Sequence, residues 1–376
     1  MFSFGKKNRV QRQKHDDTTS TPQRDTPDDT SRTSTSVTPG DIEAPLAANA
    51  VQLVAAGAGL TTVNTGSTVW LHCPAIGLQD LDLGALDMRI EVSGSANEPL
   101  THNVVMEFDG VLDDWDPLSV QRVLNEWNDQ FTAPRVFSYQ DSADHTRIRG
   151  QIVMTWWQGH TVAQLDHFLR SVIGAATNLS QCLEEKWQNV PRLTPDTTPE
   201  PNGVGLSGED RGVSATEAMA EQFITDGNPF GFLAGDTSAV TTQRIAKDFA
   251  SRSGQLSPVD DDGVLRITWG DPDINISVNG DVLTVSSSAE VMLADPEDPG
   301  FLLPLTWRWS TNRAGAVAVV HRNTDGSTSV IYALHQFVGA GMTDRQLTVT
   351  MSQTCELVAD CMMGLADDIT NGYNEP

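Results

Sequence analysis

Short stretches of alternating apolar and polar residues are interleaved along this chain with longer ones in which apolar residues recur every three or four positions. In Met88-Arg-Ile90-Glu-Val92 and Val104-Val-Met106-Glu-Phe108 the period of two predicts half-buried strands. These two segments lie in strands predicted at 87–92 and 103–108, and further strands are predicted at 68–73, 135–139 and 146–157. An alanine-rich helix over 42–58, closed by Gly57 and Gly59, precedes them. A second helix starts at Asp116-Pro117 and runs through Leu118, Val123, Leu124 and Trp127. A long helix then opens at Thr161, where Thr161 and Gln164 form a capping box, and Leu165, Phe168, Leu169, Val172, Ala176, Leu179 and Leu183 lie on one face.

The same order returns in the second half. A helix over 241–252 leads to a turn at Asp260-Asp-Asp-Gly263. Strands are predicted at 264–269, 274–278, 282–286 and 290–293, and later at 316–322 and 328–338 around the turn Asn323-Thr-Asp-Gly326. A helix from Thr343 carries the stripe Leu347, Met351, Cys355, Val358, Cys361 and Leu365. Trp127 to Gly159 and Trp309 to Gly341 both span 32 positions, and each block closes on Gly-x-Thr-x-x-Gln-Leu. Repetition of this kind fixes architecture. The expected fold class is therefore α+β: two tandem modules, 41–188 and 236–370, each an antiparallel sheet packed against N- and C-terminal helices. Residues 1–40 are expected to be a disordered polar tail, 189–235 a Pro/Gly-rich mobile linker with a short helix near 214–224, and 371–376 a C-terminal tail.

Two domains fit the length of 376 residues. The net charge is −26, and both modules share it: 7 basic against 19 acidic residues in 41–190, and 8 against 19 in 236–376. Neither offers a basic face for phosphates, so no nucleic-acid partner is expected. An acidic shell suits a cationic protein or peptide, although an acidic proteome or a high-salt habitat accounts for it equally well. No run approaches the ~20 apolar residues of a membrane span. Met1-Phe-Ser-Phe-Gly-Lys-Lys lacks the apolar core of a secretory signal, and a cytoplasmic location is expected. Phe2 and Phe4 beside Lys6, Lys7, Arg9 and Arg12 suggest a membrane-surface anchor only weakly beside a plain flexible tail.

Catalytic, cofactor-binding and metal-binding residues are not expected. Asp80-Leu-Asp82-Leu-Gly84 with Glu91 resembles a calcium loop whose glycine comes one place early. Asp113-Asp-Trp-Asp116 reads as a helix start and Asp260-Asp-Asp262 as a turn. Cys73, Cys182, Cys355 and Cys361 lack metal-ligand spacing and read chiefly as core thiols. His160 and His335 face Met342 and Val153 in the other copy, so a site common to both modules cannot depend on them. Ser207 lies in the linker without a preceding strand, and no phosphate-cradling glycine loop occurs. Trp156 and Trp157 are adjacent on a strand, so their side chains face opposite ways. One must leave the core face, which marks the pair as a surface for the other module or for a partner.

Val123-Leu-Asn-Glu-Trp127-Asn128, Pro134-Arg-Val-Phe with its hairpin, and Gly159-His-Thr-Val-Ala-Gln-Leu165 followed by a long helix resemble the YbjN-domain family. The resemblance covers 42–188 in order of elements and is weaker in the second copy, where Ser310 replaces Asn128 and Ala316 replaces Pro134. It implies a fold like the class I type III secretion chaperones, which usually dimerise and hold extended client segments. It also implies a sensory-transduction or stress-regulator role in bacteria, without enzymatic activity. The modules are accordingly expected to pack as an intramolecular pseudo-dimer, asymmetric because Val338 and Gly339 stand opposite Trp156 and Trp157. The leading functional expectation is a non-enzymatic chaperone-like or regulatory protein-binding module. The alternative is an enzyme with its site at the cleft between the modules.

Overall fold

The computed structural model describes residues 44–186 and 236–371, apart from breaks at 58–59, 74–76, 79–80, 83–85, 96–97, 109, 255–256, 294–299 and 313–314. The tail at 1–40, the linker with its 214–224 helix, residues 80 and 83–85 of the calcium-like loop and residues 372–376 lie outside the described residues.

The first module begins with α1 (Ala44–Gly57), followed by β1 (Thr61–Asn64), β2 (Thr68–Cys73), a two-residue hairpin of β3 (Gly77–Leu78) and β4 (Leu81–Asp82), β5 (Leu86–Ser95) and β6 (Glu98–Glu107). Then come α2 (Pro117–Gln130), β7 (Arg135–Gln140), β8 (Thr146–Trp156) and α3 (Val162–Lys186). The second module contains α4 (Thr242–Ser253), β9 (Leu265–Thr268), β10 (Asp273–Asn279), β11 (Val282–Val291), α5 (Leu302–Asn312), β12 (Ala316–Arg322), β13 (Thr328–Phe337) and α6 (Asp344–Thr370). Local chemistry sets the helix starts. Asp116 accepts from Ser119 N at 2.9 Å ahead of Pro117, and Thr241 accepts from Arg244 N at 3.1 Å. Both long helices open with the reciprocal capping box, Thr161 with Gln164 and Thr343 with Gln346.

Besides the small β3-β4 pair, two large antiparallel sheets result, in the orders β1-β2-β5-β6-β8-β7 and β12-β13-β11-β10-β9. Without β1 they have the same topology. Register agrees too: Arg135 pairs with Gln151 and Phe137 with Arg149, while Val317 pairs with Ala333 and Val319 with Ile331. Every one of these positions is related to its counterpart by the 182-residue shift that relates Gln164 to Gln346. Each sheet buries one face under its long helix. Leu165, Phe168, Leu169, Val172, Ala176, Leu179 and Leu183 join the first core, and Leu347, Met351, Cys355, Val358, Cys361 and Leu365 the second. Each such side chain, fully buried, contributes roughly 1.5–3 kcal/mol for the larger apolar types.

Two details differ from the sequence reading. Strand β1 adds an edge to the first sheet, because Thr61–Asn64 pairs with Val69–His72 although its pattern is too short to stand out. Strand β11 runs without a break where two strands were expected. Ser286, Ser287 and Ser288 stay paired with Ala333, Tyr332 and Ile331, and the Ser287 hydroxyl, buried, donates to the Asp273 carbonyl at 2.8 Å.

Candidate functional site

Strands β7 and β12 end their sheets and would each leave a row of backbone N–H and C=O groups unpaired. Side chains supply the missing partners. In the first module Asn128 on α2 donates to Val136 O and accepts from Val136 N, both at 2.8 Å. In the second, the shorter Ser310 performs the same task. Its hydroxyl accepts from Ala318 N at 2.9 Å and lies 3.1 Å from the Ala318 carbonyl. The departure from Trp-Asn in the second copy therefore preserves this local structure.

The next residues along each edge are capped from the opposite module. Asn125 donates to Val320 O at 2.8 Å and its Oδ1 accepts from Val320 N at 2.9 Å. Trp307, its counterpart on α5, donates to Ser138 O at 3.1 Å. The start of each long helix completes the seam. Gln164 Nε2 donates to Gly341 O at 2.7 Å, and Gln346 Nε2 donates to Gly159 O at 2.9 Å. The two amides also bond one another at 3.2 and 3.1 Å, and each Oε1 accepts from its own capping threonine. Residue i of one module thus meets j of the other while their counterparts meet in return, the signature of a two-fold interface. His321 with Asp129 at 2.9 Å and His167 with Asp281 at 3.8 Å add further links between the halves.

Arg135, 8% exposed, crosses the same seam. Its guanidinium donates to the Ser310 and Ala316 carbonyls at 2.5 and 2.9 Å and to the Gln151 side chain. Burial pushes its pKa down to about 10, so it remains charged at neutral pH. From Gln151 a polar chain runs over the outer face of the first sheet through Asn103 to Glu91 and Arg89. Arg89 and Arg149 both bond Glu107. Burial alone would raise the Glu107 carboxyl, but the two arginines outweigh it and hold it below its usual range. The Arg149 guanidinium lies 4.1 Å from the centre of the Tyr139 ring.

Above this face lies an open groove of about 800 Å³. Its floor is Arg135, Phe137 and Tyr139 of β7 with Arg149 and Gln151 of β8. Pro117, Val120 and Gln121 of α2 form one wall, and Trp307, Thr311 and Asn312 of α5 supply the second module's part. Its described lining contains no carboxylate, histidine or cysteine. A separate cavity of about 30 Å³, large enough for a single water, sits deeper between the modules beside Gln151, Val153, His335 and Phe337.

The tryptophan pair lies elsewhere. Trp156 is 5% exposed inside the first core, where its Nε1 donates to His102 Nδ1 at 2.8 Å and its ring meets His160 and Phe168. Trp157 is half-buried, with Nε1 enclosed and without a hydrogen-bond partner. Among the described hydrogen bonds and ring contacts, none joins either residue to the second module. The seam is built from paired counterparts, and none of these contacts places Trp156 or Trp157 in it. The physical reason is that helix starts and edge strands carry unsatisfied backbone groups, whereas Trp156 finds its polar partner within its own module. His102 and His160 are buried beside Trp156, and desolvation holds His160 down to about 4 and His102 well below the ordinary imidazole value.

Reading the sequence also left Arg135, Asn125 and Trp307 unassigned, and took Gln164 only as a cap and Gln346 only as part of the repeated block. One signal was available: a polar side chain kept in both copies while most other positions diverged. Among the described residues no cluster of three or more His, Cys, Asp and Glu could hold a metal, and no helix is long and apolar enough to cross a membrane.

No protein-family model and no curated protein sequence matches the chain. Among solved structures, YbjN from E. coli aligns over 38% of this chain and 100% of its own, at 15% identity and a TM-score of 0.30. That likeness is too slight to assign a role.

Proposed function

We propose that the protein is a non-enzymatic, regulatory or chaperone-like module that holds a segment of a partner protein in the groove between its halves. The observation that carries this reading is the groove itself: open, walled by both modules and lined by Arg149, Phe137, Tyr139 and Trp307. Arginine, tyrosine and tryptophan dominate the energetics of protein recognition, because they bring large contact areas and directed polar groups at modest entropic cost. The resemblance of residues 42–188 to the YbjN-domain family points the same way. The described lining residues include hydroxyl groups but no carboxylate, histidine, lysine or cysteine to pair with them as base.

A photocrosslinking residue placed at Gln140 or Thr311 in cells tests the proposal, with Glu356 on the far helix as control. A discrete partner band specific to the groove positions is expected. Equal labelling at all three positions, together with turnover of a substrate that is lost on replacing Arg149, would favour the enzyme instead.

A further inference from the structure

Building on the protein-binding reading, we infer that the groove recognises an aromatic ring and a carboxylate presented together by the bound segment. Three observations converge. In a chain of net charge −26, the sheet face beneath the groove carries Arg89, Arg135 and Arg149 against Glu91 and Glu107. One carboxylate, Glu107, serves two guanidinium groups, and 29% of the Arg149 side chain stays accessible. Arg149 Nε is enclosed without a hydrogen-bond partner. A further carboxylate at Arg149 would form a charge-assisted pair in a partly desolvated place.

The second copy shows that the scaffold does not require this polar set. At the positions of Arg135, Phe137, Arg149 and Gln151 it has Val317, Val319, Ile331 and Ala333, which pack as a small apolar cluster. Arg135 and Gln151 serve the seam and the polar chain, whereas Arg149 keeps part of its side chain accessible at the groove. Trp307, 36% exposed, lines the groove beside Tyr139 and offers ring surface to an aromatic group, and it belongs to the other module, so the site is complete only when the halves are docked. Val136 and Ser138 already have side-chain partners at the β7 edge. The segment therefore binds through a side chain or a chain terminus, not as an added strand.

The full-length protein should be titrated by NMR with three peptides: acetyl-Gly-Gly-Phe as free acid, the same as amide, and acetyl-Gly-Phe-Glu-Gly-amide. The first and third separate a terminal from a side-chain carboxylate. At least one acid should bind about tenfold or more tighter than the amide. Arg149→Met should remove that advantage, and Gln121→Glu, at the groove wall, should weaken the acids alone. Unchanged unfolding midpoints confirm that each variant is folded. Equal binding of acid and amide, no binding of any peptide, or insensitivity to both substitutions overturns the inference. A groove-specific crosslink without an acid preference leaves the protein-binding reading standing. Acid-selective binding without any protein crosslink supports the carboxylate site and overturns that reading.

Discussion

Replacing Gln164 by leucine keeps a side chain of similar bulk and removes its amide, which tests what that amide does. In the structure Gln164 is 4% exposed; it accepts from Thr161 N at 2.8 Å and donates to Gly341 O at 2.7 Å. The substitution strands a backbone donor in one module and a backbone acceptor in the other. Each buried orphan costs about 1–3 kcal/mol, the stranded Thr161 N being the lost half of the capping box. A destabilisation of roughly 2–6 kcal/mol is therefore expected. Gln346→Leu should cost a similar amount, because it strands Thr343 N and Gly159 O in the same way. The amide–amide bonds are lost in either single variant and cannot be lost twice. The double variant should therefore fall short of the sum by about 1–2 kcal/mol. Urea unfolding of the four proteins, followed by circular dichroism and tryptophan fluorescence, measures this coupling. Additivity within about 0.3 kcal/mol would refute the reciprocal seam, since it would mean that the two amides do not meet in solution.

Acidification should destabilise the first module in a defined window. His160 is held at about 4 in the fold against an ordinary 6.5, so its stabilising effect is complete above about 6.5 and lost as pH falls towards 4. The loss amounts to about 3 kcal/mol from this residue, readable as a falling urea midpoint; a flat midpoint between pH 6.5 and 4.5 would contradict the burial. Trp156→Phe should cost about 1–3 kcal/mol by leaving His102 Nδ1 without its donor, whereas the undocking expected of an interface residue would appear as a more extended scattering profile at unchanged module stability. Gly341 has φ 76°, and a Cβ there would stand 2.6 Å from the Ser238 carbonyl oxygen. Gly326, at φ 86°, has nothing within 4 Å. Alanine should therefore cost about 1–2 kcal/mol at Gly326 and clearly more at Gly341, and equal thermal shifts would show that the clash is relieved.

Element order was readable because strands such as Met88–Val92 and helices such as that from Thr161 carry clean periods. The duplication fixed which elements correspond. Strand β1 was missed, since Thr-Thr-Val-Asn is too short and polar to show a period and is recruited by pairing with β2. The seam was only half legible. Gly-x-Thr-x-x-Gln-Leu announces a cap in either copy, but the side of the glutamine amide that faces the other module depends on how two helices meet. Asn125 and Trp307 occupy equivalent positions and do the same job with different atoms, so comparing the copies letter by letter hides them. The groove was invisible for a related reason: Arg135, Phe137, Arg149 and Gln151 are scattered in sequence and converge only through the register of β7 and β8.

The capping of β7 by Trp307 has a consequence for synthesis. The first module can fold once α3 has emerged, yet the residue that covers Ser138 lies 169 positions downstream of it. From the end of α3 at Lys186 to Trp307 is 307 − 186 = 121 residues, which at about 5–20 residues per second takes the ribosome roughly 6–24 seconds. Throughout that interval the nascent protein carries part of an unpaired strand edge, a template for association with neighbouring chains on the same message. Slowing translation between the modules should therefore raise aggregation of this protein, and coexpressing the second module as a separate chain should lower it.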